Sequence, residues 1–494
     1  MTLPNSKMKD NTNDSYWRGF SSSVQFPSVT ENMKVDVVIT GSGAAGVMIA
    51  YNLLRTGKKV ALIAETDIFS IKGGRSNSHL QTAIDARYYN LERIYGEEKN
   101  RFIAESRKCA INFIERTVLD LNIDCEFERL DGFLFLHPED KTSSLSNELK
   151  AAQKAGVSVT DLPFVLGTNK HVPCLKFHEQ AQFHPLKYIK ALCEEVIRLG
   201  GAIYENTEIA SINDDSVTTT GKHIIKADHI VCTSGTGLND QSKGKQYCSY
   251  SIAAKVKKNS VRKFLWWDSG NPKTNSKHRP YHHVRIQNHD QEHDLLICSG
   301  ENHLLEDNRS KLSAQDRYAM LESWARERFP VQDVIWQWKE EGMEPRNRIG
   351  YIGKKNGSKN IYTIAGDAGS EMMNAAIGAL IIPDLITEKN NAWAKLYDPC
   401  FALPTKAEII SKEILKGTAG YVKRVFQNLK SMKRNYQVNA ERQGEQAPRA
   451  MTTTSEVVGT EGVLQDGNIY WNNDEESWDR IHQQRSILYG HKNL

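Results

Sequence analysis

The 494-residue sequence contains no Cys-x-x-Cys pair, although it holds eight cysteines. Because these cysteines are scattered, they predict neither a zinc site nor a disulfide scaffold, and they are typical of a reducing compartment. The formal net charge is only +4, so the charge balance gives no indication of a nucleic-acid partner. Residues 1–13 are polar and lack the apolar run of a secretory signal peptide. We therefore predict a soluble, cytoplasmic protein that binds no nucleic acid.

Length and composition are those of a globular chain with more than one domain. Hydrophobic residues make up 39% and charged residues 25% of the chain, as in ordinary soluble proteins. A chain of 494 residues is too long for a single core, so two or three domains are expected. Residues 36–54 are apolar enough to resemble a membrane span, but their glycines and the early Asp36 favour a strand, a turn and a helix. We predict no membrane span.

The strongest motif is a glycine-rich turn between a β-branched strand and an apolar helix. The strand is predicted at 35–40, the helix at 44–55 and a second strand at 60–63. The turn reads Gly41-Ser42-Gly43-Ala44-Ala45-Gly46, which has the G-x-G-x-x-G spacing of a dinucleotide site. A strand, a glycine turn, a helix and a second strand together make this motif much more specific than the glycines alone.

Each glycine of the turn has a distinct role in such a site. Gly41 allows the tight turn, Gly43 lets a pyrophosphate approach the backbone, and Gly46 lets the helix pack closely on the strand. The N-terminus of the helix favours a phosphate through its N–H groups and its dipole. Glu65 follows the second strand, where a carboxylate can accept the hydroxyls of an adenosine ribose. The alternative, a glycine turn without a ligand, is disfavoured by this combination.

The remaining chain is predicted to return to the same sheet twice, with an insertion before each return. Helices are expected at 91–121, 148–155, 185–199, 314–328 and 372–386, and strands at 125–130, 132–136, 202–204, 208–212, 227–233, 350–353 and 360–367. Residues 249–300 are interpreted as further strands around a polar loop. In the long segment 91–121, the charged residues are assigned to the exposed face of an amphipathic helix. Tyr16 and Trp17 are expected to pack as an aromatic anchor on the surface.

Several separated segments resemble one known family in the family's own order. These segments are residues 74–80, 95–98, 124–129, 180–187, 343–345, 361–367 and 396–399. The chain from Trp17 to about Pro399 resembles the D-amino-acid-oxidase-like FAD-dependent oxidoreductases. Within them it is most similar to the subfamily that carries a Rieske-type iron–sulfur domain at its C-terminus.

The resemblance implies an α/β fold in which a Rossmann-like FAD-binding domain is interleaved with a β-rich α+β substrate domain, followed by a small C-terminal extension. The implied divisions are an N-terminal arm (1–30), the oxidoreductase region (31–402), a basic helical linker (403–454) and a degenerate Rieske-like remnant (455–494). Within the oxidoreductase region, the FAD-binding parts are about 31–90, 170–245 and 335–402, and the substrate-domain parts about 91–169 and 246–334.

The resemblance also implies the cofactor and the reaction. The implied FAD contacts come from the Gly41–Gly46 turn, Glu65, Gly74, Arg75, Ser76, the backbone at Ile209, Gly366, Asp367 and Met372. The helix after Gly369 would point its N-terminus at the pyrimidine end of the flavin and stabilise negative charge there. Such enzymes oxidise a C–N bond of a small amine or amino acid by hydride transfer to the flavin, and oxygen or a redox partner accepts the electrons.

Three residues are candidates for the catalytic site. His79 and His184 fall in segments that match the family, and each has the alternative of a hydrogen-bonded structural histidine. Arg285 lies on a predicted strand, where it could form a bidentate pair with a substrate carboxylate or could simply face the surface. The neighbouring His282 and His283 are not expected to bind a metal, because adjacent strand residues point to opposite faces.

The chain departs from the family pattern at three places. The acid that ends the second strand in the family falls on Ala64, one position before Glu65. The Thr-His-Gly near the flavin is replaced by Met373-Asn374-Ala375. At the C-terminus, the two ligand motifs of the Rieske domain fall on residues 462–464 and 480–483 of this chain, and neither segment contains a cysteine. The sequence stops at Leu494, short of the rest of that domain.

These departures have two consequences. Because a Rieske cluster needs two cysteines and two histidines, residues 455–494 are predicted to hold no iron–sulfur cluster and no other metal. The changed flavin-facing motif also leaves a second function open, in which the protein binds flavin but has drifted or lost its oxidase activity and acts as a binding or assembly component.

Overall fold

The computed structural model describes residues 15–17, 24–69, 78–233, 244–272, 281–306, 312–366, 370–401 and 403, together with the backbone of 462–465 and 468–471. The chain divides into two compact units, residues 1–409 and 410–494. The first unit contains two large sheets and the helices that cover them. In the second unit, the described residues form a pair of antiparallel strands.

The described α-helices are α1 (Ala44–Arg55), α2 (Tyr88–Tyr95), α3 (Glu97–Asp120), α4 (Thr142–Lys154), α5 (Pro185–Arg198), α6 (Ala314–Arg326), α7 (Glu371–Ile386) and α8 (Ala394–Tyr397). The first sheet contains β1 (Met33–Thr40), β2 (Val60–Ile63), β7 (Ala202–Tyr204), β8 (Ile209–Asn213), β9 (Ser216–Thr219), β10 (Ile224–Cys232), β16 (Tyr351–Lys354) and β17 (Ile361–Ala365). The second contains β3 (His79–Leu80), β4 (Glu128–Phe135), β5 (Val159–Leu162), β6 (Cys174–Gln182), β11 (Lys245–Lys257), β12 (Leu265–Asp268), β13 (His283–Asn288), β14 (His293–Leu304) and β15 (Val334–Glu344). The second unit contributes β18 (Gly462–Gln465) and β19 (Asn468–Trp471).

The first sheet is built around a parallel core. Its strand order is β16-β17-β10-β1-β2-β7, and β17, β10, β1, β2 and β7 run parallel while β16 is antiparallel to its neighbour. The crossover α1 between β1 and β2 packs against α5 and α7. The helix predicted at 44–55 and the strand predicted at 60–63 are confirmed at the same bounds. Periodicity and the glycine turn thus located this βαβ unit correctly from sequence alone.

The second sheet is antiparallel except for its β4–β12 pair. One face contributes side chains such as Trp267 and Trp338 to a core shared with α1, α3 and α7. The other face contributes Trp266 and Phe133 to a separate core that α6 covers. A strand of this sheet therefore presents alternate residues to two different interiors.

The structure corrects several sequence predictions about element bounds. The single helix expected at 91–121 is broken at Gly96, whose φ of 83° separates α2 from α3. The two strands expected at 125–136 form one strand, β4, whose pairing with β6 shifts register near Gly132. β3, β6 and β15 belong to the second sheet, although their positions were assigned to the FAD-binding parts.

The aromatic anchor is also placed differently from the prediction. Tyr16 and Trp17 are almost fully buried rather than on the surface. Among the described helices, none combines the length and apolar character needed to cross a bilayer.

Candidate active site

The loops that follow the parallel strands of the first sheet meet at one edge. The Gly41 N–H donates to the carbonyl of Ile63 at 2.9 Å, which joins the end of β1 to the end of β2. The Thr233 N–H donates to the carbonyl of Thr40 at 2.8 Å, which joins β10 to the same edge. Ligands of open α/β sheets bind outside the carboxyl ends of the strands. The glycine turn therefore lies where a bound nucleotide is expected.

The glycine turn has the backbone geometry that its spacing predicts. Gly41 and Gly43 have φ values of 120° and 119°, a region that side-chain-bearing residues rarely occupy. A Cβ at Gly46 would lie 2.8 Å from Leu62 Cδ1, so only glycine lets α1 approach β2 this closely. Helix α1 begins without a side-chain cap and without an acid in its first turn. Among the described residues, the N–H groups of its first turn therefore have no side-chain cap, as at a helix N-terminus that binds a phosphate.

These features fit the pyrophosphate of FAD. A Cβ added at Gly43 would lie 3.6 Å from Glu371 Oε1 and would meet no other described atom within 4 Å. The backbone of Gly43 therefore faces an open space, part of which a side chain would occupy. Glu371 is the first residue of α7, so the N-terminus of α7 lies close to the glycine turn. The dipole of α1 favours an anion at this turn. The presence of a carboxylate beside this turn was not foreseen from the sequence.

Two of the predicted FAD contacts, Glu65 for the ribose and the backbone at Ile209, lie on the segments that follow β2 and β7. Glu65 is exposed and comes two residues after the end of β2, while Ile209 opens β8 and is half-buried. The loop that follows Glu65 is held by Glu205, whose buried carboxylate accepts N–H bonds from Ile68 at 2.8 Å and Phe26 at 3.1 Å. Glu65 is thus presented to solvent from a fixed loop.

The turn between β17 and α7 is held by Asn374. Gly366 follows β17 with a φ of 76°, and its carbonyl accepts a bond from Asn374 Nδ2 at 2.7 Å. Met372 is buried in the first turn of α7. Asn374, one of the departures from the family, therefore ties the first turn of α7 to the end of β17. Of the other predicted contacts, Gly74, Arg75, Ser76 and Asp367 lie outside the described residues.

Arg107 corrects the prediction for the long helix. The amphipathic pattern assigned the charged residues of 91–121 to the positions outside the apolar stripe, but Arg107 is only 2% exposed. It occupies the apolar stripe of α3, four residues after Ile103 and four before Ile111. Its Nε donates to the carbonyl of Gln81 at 3.0 Å, and its Nη2 lies 3.4 Å from Ser370 Oγ, at the N-cap of α7. The signal that could have identified Arg107 from the sequence is its position within the apolar stripe of the helix, where a charged residue is not expected.

His79 lies beside a second histidine and an acid. Its ring centroid is 5.4 Å from that of His283, whose Nε2 is 3.5 Å from Asp85 Oδ1. Burial lowers the pKa of His79 well below its ordinary value, and His283 and Arg285 act in the same direction. Burial opposes ionisation of Asp85, but His283, Arg87 and Tyr281 together outweigh it and lower the pKa of this carboxyl. A neutral imidazole and an ionised carboxylate therefore flank His283.

Arg285 and His184 pack around Trp17. The Arg285 guanidinium is fully buried, donates to the carbonyls of Phe183 at 3.0 Å and Ser78 at 3.2 Å, and lies 5.1 Å from the centre of the Trp17 ring. Burial lowers the pKa of Arg285 to about 9. Its role as a carboxylate-binding residue stays a prediction, and its guanidinium is already engaged by two backbone carbonyls.

His184 serves as the N-cap of α5. Its Nδ1 accepts the N–H of Lys187 at 3.3 Å, and Pro185 occupies the first position of the helix. Burial, followed by Lys187, lowers the pKa of His184 to about 3, so the ring is neutral at physiological pH. These contacts give His184 a structural role, and its catalytic role stays a prediction.

A cavity of about 280 Å³ opens at one end of the second sheet. It is lined by both acids and bases, among them Asp85, Arg87, Glu148, Glu344 and Arg348, and by Tyr247 and Tyr281. Glu148 is almost fully buried, and burial raises its pKa although Arg87 opposes this. His79, His184 and Arg285 are not among the lining residues. The cavity could not be predicted from sequence, because its residues come from several distant parts of the chain.

The cavity adjoins the nucleotide edge of the first sheet. Glu344 is the last residue of β15 and is followed by Pro345. A Cβ at Gly366 would lie 2.7 Å from Pro345 Cβ, so the wall of the cavity is close to the end of β17. A substrate in this cavity would therefore lie close to the segment that is implied to contact the flavin.

The neighbouring His282 points to the opposite face, as predicted for adjacent strand residues. Its Nδ1 is 2.8 Å from Asp268 Oδ2 and its Nε2 is 3.0 Å from Glu301 Oε1. Burial disfavours its charged form, but the two carboxylates outweigh this and raise the pKa of His282 to about 9. Among the described residues, no group of three or more His, Cys, Asp or Glu side chains is arranged to hold a metal.

Comparison with known proteins places these features in a family context. A sequence model described as "FAD dependent oxidoreductase" (DAO) matches residues 36–385. A Bacillus subtilis (strain 168) protein that carries the name of a Rieske 2Fe-2S iron-sulfur protein is 25% identical over 486 residues, which cover 94% of this chain and 92% of that protein. The Escherichia coli K12 gamma-glutamylputrescine oxidoreductase is 21% identical over 243 residues, or 47% of this chain and 57% of that protein.

A similarity of fold accompanies the similarity of sequence. The crystal structure of glycine oxidase from Bacillus cereus superposes with a TM-score of 0.57 at 17% identity, over 75% of this chain and 99% of that one. At this identity the likeness concerns the fold, and it agrees with the two-sheet architecture described above.

Proposed function

The chain belongs to the DAO family of FAD-dependent oxidoreductases, and on this premise we propose that it oxidises a carbon–nitrogen bond of a small amine or amino acid, with oxygen as the electron acceptor. The observation that carries the proposal is the contact between Pro345, beside the charged cavity, and Gly366, at the end of β17. Because of this contact, a cavity large enough for a small substrate lies beside the edge of the first sheet that carries the dinucleotide motif.

In this proposal FAD is held by residues inside and outside the described segments. The Gly41–Gly46 turn would receive the pyrophosphate and Glu65 the ribose, and the backbone at Ile209 would be a further contact. Gly74, Arg75, Ser76, Gly366, Asp367 and Met372 would supply the other contacts. Bound FAD supplies a hydride acceptor, which no amino-acid side chain can provide.

The cavity residues would bind and orient the substrate. Glu344 and Glu148 favour an ammonium group, while Arg87 and Arg348 favour a carboxylate, so the lining suits an amine or a zwitterionic amino acid. The substrate amine must lose its proton before the C–H bond beside it can break. Asp85 lines the cavity and lies 3.5 Å from Nε2 of His283, which does not line it, so we propose that the proton leaves the amine through Asp85 toward His283. The His79 ring centroid lies 5.4 Å from that of His283, and Arg285 is on the same face of β13 as His283.

The direct test is anaerobic bleaching of the flavin absorbance by a panel of amines and amino acids, followed by measurement of peroxide after oxygen is admitted. Glu344→Gln is expected to raise the KM for the active substrate about tenfold, since a hydrogen bond to a charged group contributes about 1.5–3 kcal/mol. Lys108→Ala is the matched control, because Lys108 lines a second cavity of about 280 Å³ that does not include Glu344. Equal effects of the two variants would contradict the assignment of the cavity.

The second candidate is a flavin-binding protein that has lost oxidase activity. The changed flavin-facing motif favours it, because Asn374 of Met373-Asn374-Ala375 donates to the Gly366 carbonyl at 2.7 Å and so stabilises a turn of the fold. Protein that purifies with FAD but is bleached by no member of the panel, while chemical reduction proceeds normally, would favour this candidate over the first.

The path of the electrons also depends on the C-terminal segment. Residues 455–494 contain no cysteine, and a Rieske centre requires two thiolates. We therefore propose that this segment holds no cluster and that electrons leave the flavin directly, in contrast to what the name of the Bacillus subtilis relative indicates for that protein. Stoichiometric iron and acid-labile sulfide in the purified protein would contradict this proposal.

A further inference from the structure

The buried guanidinium of Arg107 has no acidic partner among the described residues. Its described hydrogen bonds go to the Gln81 carbonyl at 3.0 Å and to Ser370 Oγ at 3.4 Å, and the second is longer than usual for a hydrogen bond. None of the ion pairs in the described part of the chain includes Arg107. Of the five N–H donors of its guanidinium, most are therefore not used by the described protein groups.

This arrangement is unfavourable for the protein alone. Removing a cation from water is costly unless a negative charge accompanies it. Ser370 is also the N-cap of α7, so the guanidinium stands beside the positive end of a helix dipole. Two positive features placed together inside a protein repel each other unless an anion lies between them.

The described residues supply little negative charge near the Arg107 guanidinium. Burial lowers the pKa of Arg107, and the opposing influences are Tyr88, Tyr397 and, with the smallest effect, Asp85. The two tyrosines are neutral at physiological pH, because burial raises their pKa values. The carboxylate of Glu371 lies toward Gly43, on the pyrophosphate side of α7. Among the described residues, no acid forms an ion pair with Arg107, and an external anionic group would supply the missing charge.

We propose that Arg107, together with the N-terminus of α7, stabilises negative charge on the pyrimidine end of the flavin ring. The inference rests on the proposed function, because it requires that FAD is bound with its ring at α7. It assigns to a residue of α3 a role that neither the motifs nor the family resemblance indicated.

The reaction explains why such a charge is needed. The C–H bond beside the substrate amine breaks, and the hydrogen passes to the flavin with both electrons of that bond. The substrate becomes an iminium ion, and the flavin ring gains one negative charge on its pyrimidine side. A fixed guanidinium at that side lowers the energy of the charged product and makes the bound flavin a stronger oxidant.

Sulfite provides a test that does not depend on the substrate. Sulfite adds to oxidised flavin, bleaches its visible absorbance and leaves negative charge on the same part of the ring. In purified holoprotein, Arg107→Gln is expected to weaken sulfite binding by at least about tenfold, and Arg107→Lys by no more than about threefold. A tenfold change in a two-electron equilibrium corresponds to about 30 mV, so the midpoint potential of the flavin should fall in parallel.

The controls separate an electrostatic role from a structural one. Arg317 is another buried arginine, located on α6 at the opposite face of the second sheet, and Arg317→Gln is expected to leave sulfite binding unchanged. Arg107→Met is a second neutral variant in case glutamine is not tolerated, since methionine suits a buried helix position. Unchanged sulfite affinity and potential in the neutral variants would overturn the inference, as would an equal loss in Arg317→Gln. Wild-type protein that binds no FAD would instead overturn the proposed function.

Discussion

The two sheets differ in how the sequence encodes their chemistry. The nucleotide edge of the first sheet depends on six consecutive residues, Gly41–Gly46, whose backbone geometry follows from their glycine spacing. The second sheet assembles its polar groups from distant segments: Asp85 meets His283, and Arg285 meets Phe183. Local chemistry can be identified from a motif, whereas assembled chemistry depends on strand register and strand order, which no short segment contains.

The same contrast appears within one strand of the second sheet. His282 and His283 are neighbours in sequence, but they point into different cores. His282 stacks on Trp324 and lies between two carboxylates, whereas His283 lies near His79 and one acid. The alternation of the strand separates a histidine between two carboxylates from one that lies beside Asp85, a residue that lines the cavity.

The largest effect is expected from a change in the glycine turn. Gly43→Val places a β-branched residue at a φ of 119° and directs its side chain into the pyrophosphate space, so FAD binding should be abolished. Visible flavin absorbance of the purified and reconstituted protein measures this. Gly57→Ala is the matched control, because Gly57 also has a positive φ, but a Cβ added there would meet no described atom within 4 Å. FAD retained by Gly43→Val would show that the local motif does not form the site.

A second large effect should appear in stability rather than in cofactor binding. His282→Gln leaves Asp268 and Glu301 as buried carboxylates without a cation, which typically destabilises a protein by about 3–5 kcal/mol. In the native protein the pKa of His282 is about 9, above the ordinary value. Its stabilising contribution is therefore complete below about pH 6.5 and is lost as the pH rises through 9.

Urea denaturation at pH 7 and pH 9.5 tests both parts of this prediction. The native protein should lose stability across this interval, on the order of 3 kcal/mol, and His282→Gln should be nearly insensitive to pH there. FAD affinity of the folded variant should be unchanged, since His282 faces the core under α6. An equally steep loss of stability in both proteins would place the titrating group elsewhere.

The contrast between the sheets explains which features could be predicted. The bounds of α1 and β2 were predicted correctly because apolar periodicity and glycine positions act within a few residues. The break at Gly96 was missed because the helical pattern continues on both sides of it. Arg107 was misassigned because its burial results from the packing of α3 against Gln81 and Ser370, which are remote in sequence.

A smaller effect is expected at the ribose position. If Glu65 holds the ribose hydroxyls, Glu65→Ala should weaken FAD binding by roughly 1.5–3 kcal/mol, the scale of hydrogen bonds to a charged group. Fluorescence titration of the apoprotein with FAD measures the change, and Asp67→Ala, an exposed acid in the same loop, is the control. Unchanged affinity of Glu65→Ala would mean that the shift of the acid from position 64 has moved it out of reach.

The smallest effect is expected from a change of Glu371. Whether the change tightens or weakens FAD binding distinguishes two roles of its carboxylate. At the first position of α7, the carboxylate stabilises the helix dipole by about 0.3–1 kcal/mol. Its Oε1 also lies 3.6 Å from the position that a Cβ of Gly43 would occupy. There the carboxylate repels an approaching phosphate by about 1 kcal/mol in a hydrated setting.

Glu371→Gln should therefore lower the melting temperature of the apoprotein slightly and tighten FAD binding severalfold. The gain in affinity should shrink at high salt, because exposed charges are screened. Weaker FAD binding in Glu371→Gln would show that the carboxylate accepts hydrogen bonds from the cofactor, and Glu371 would then belong to the binding site.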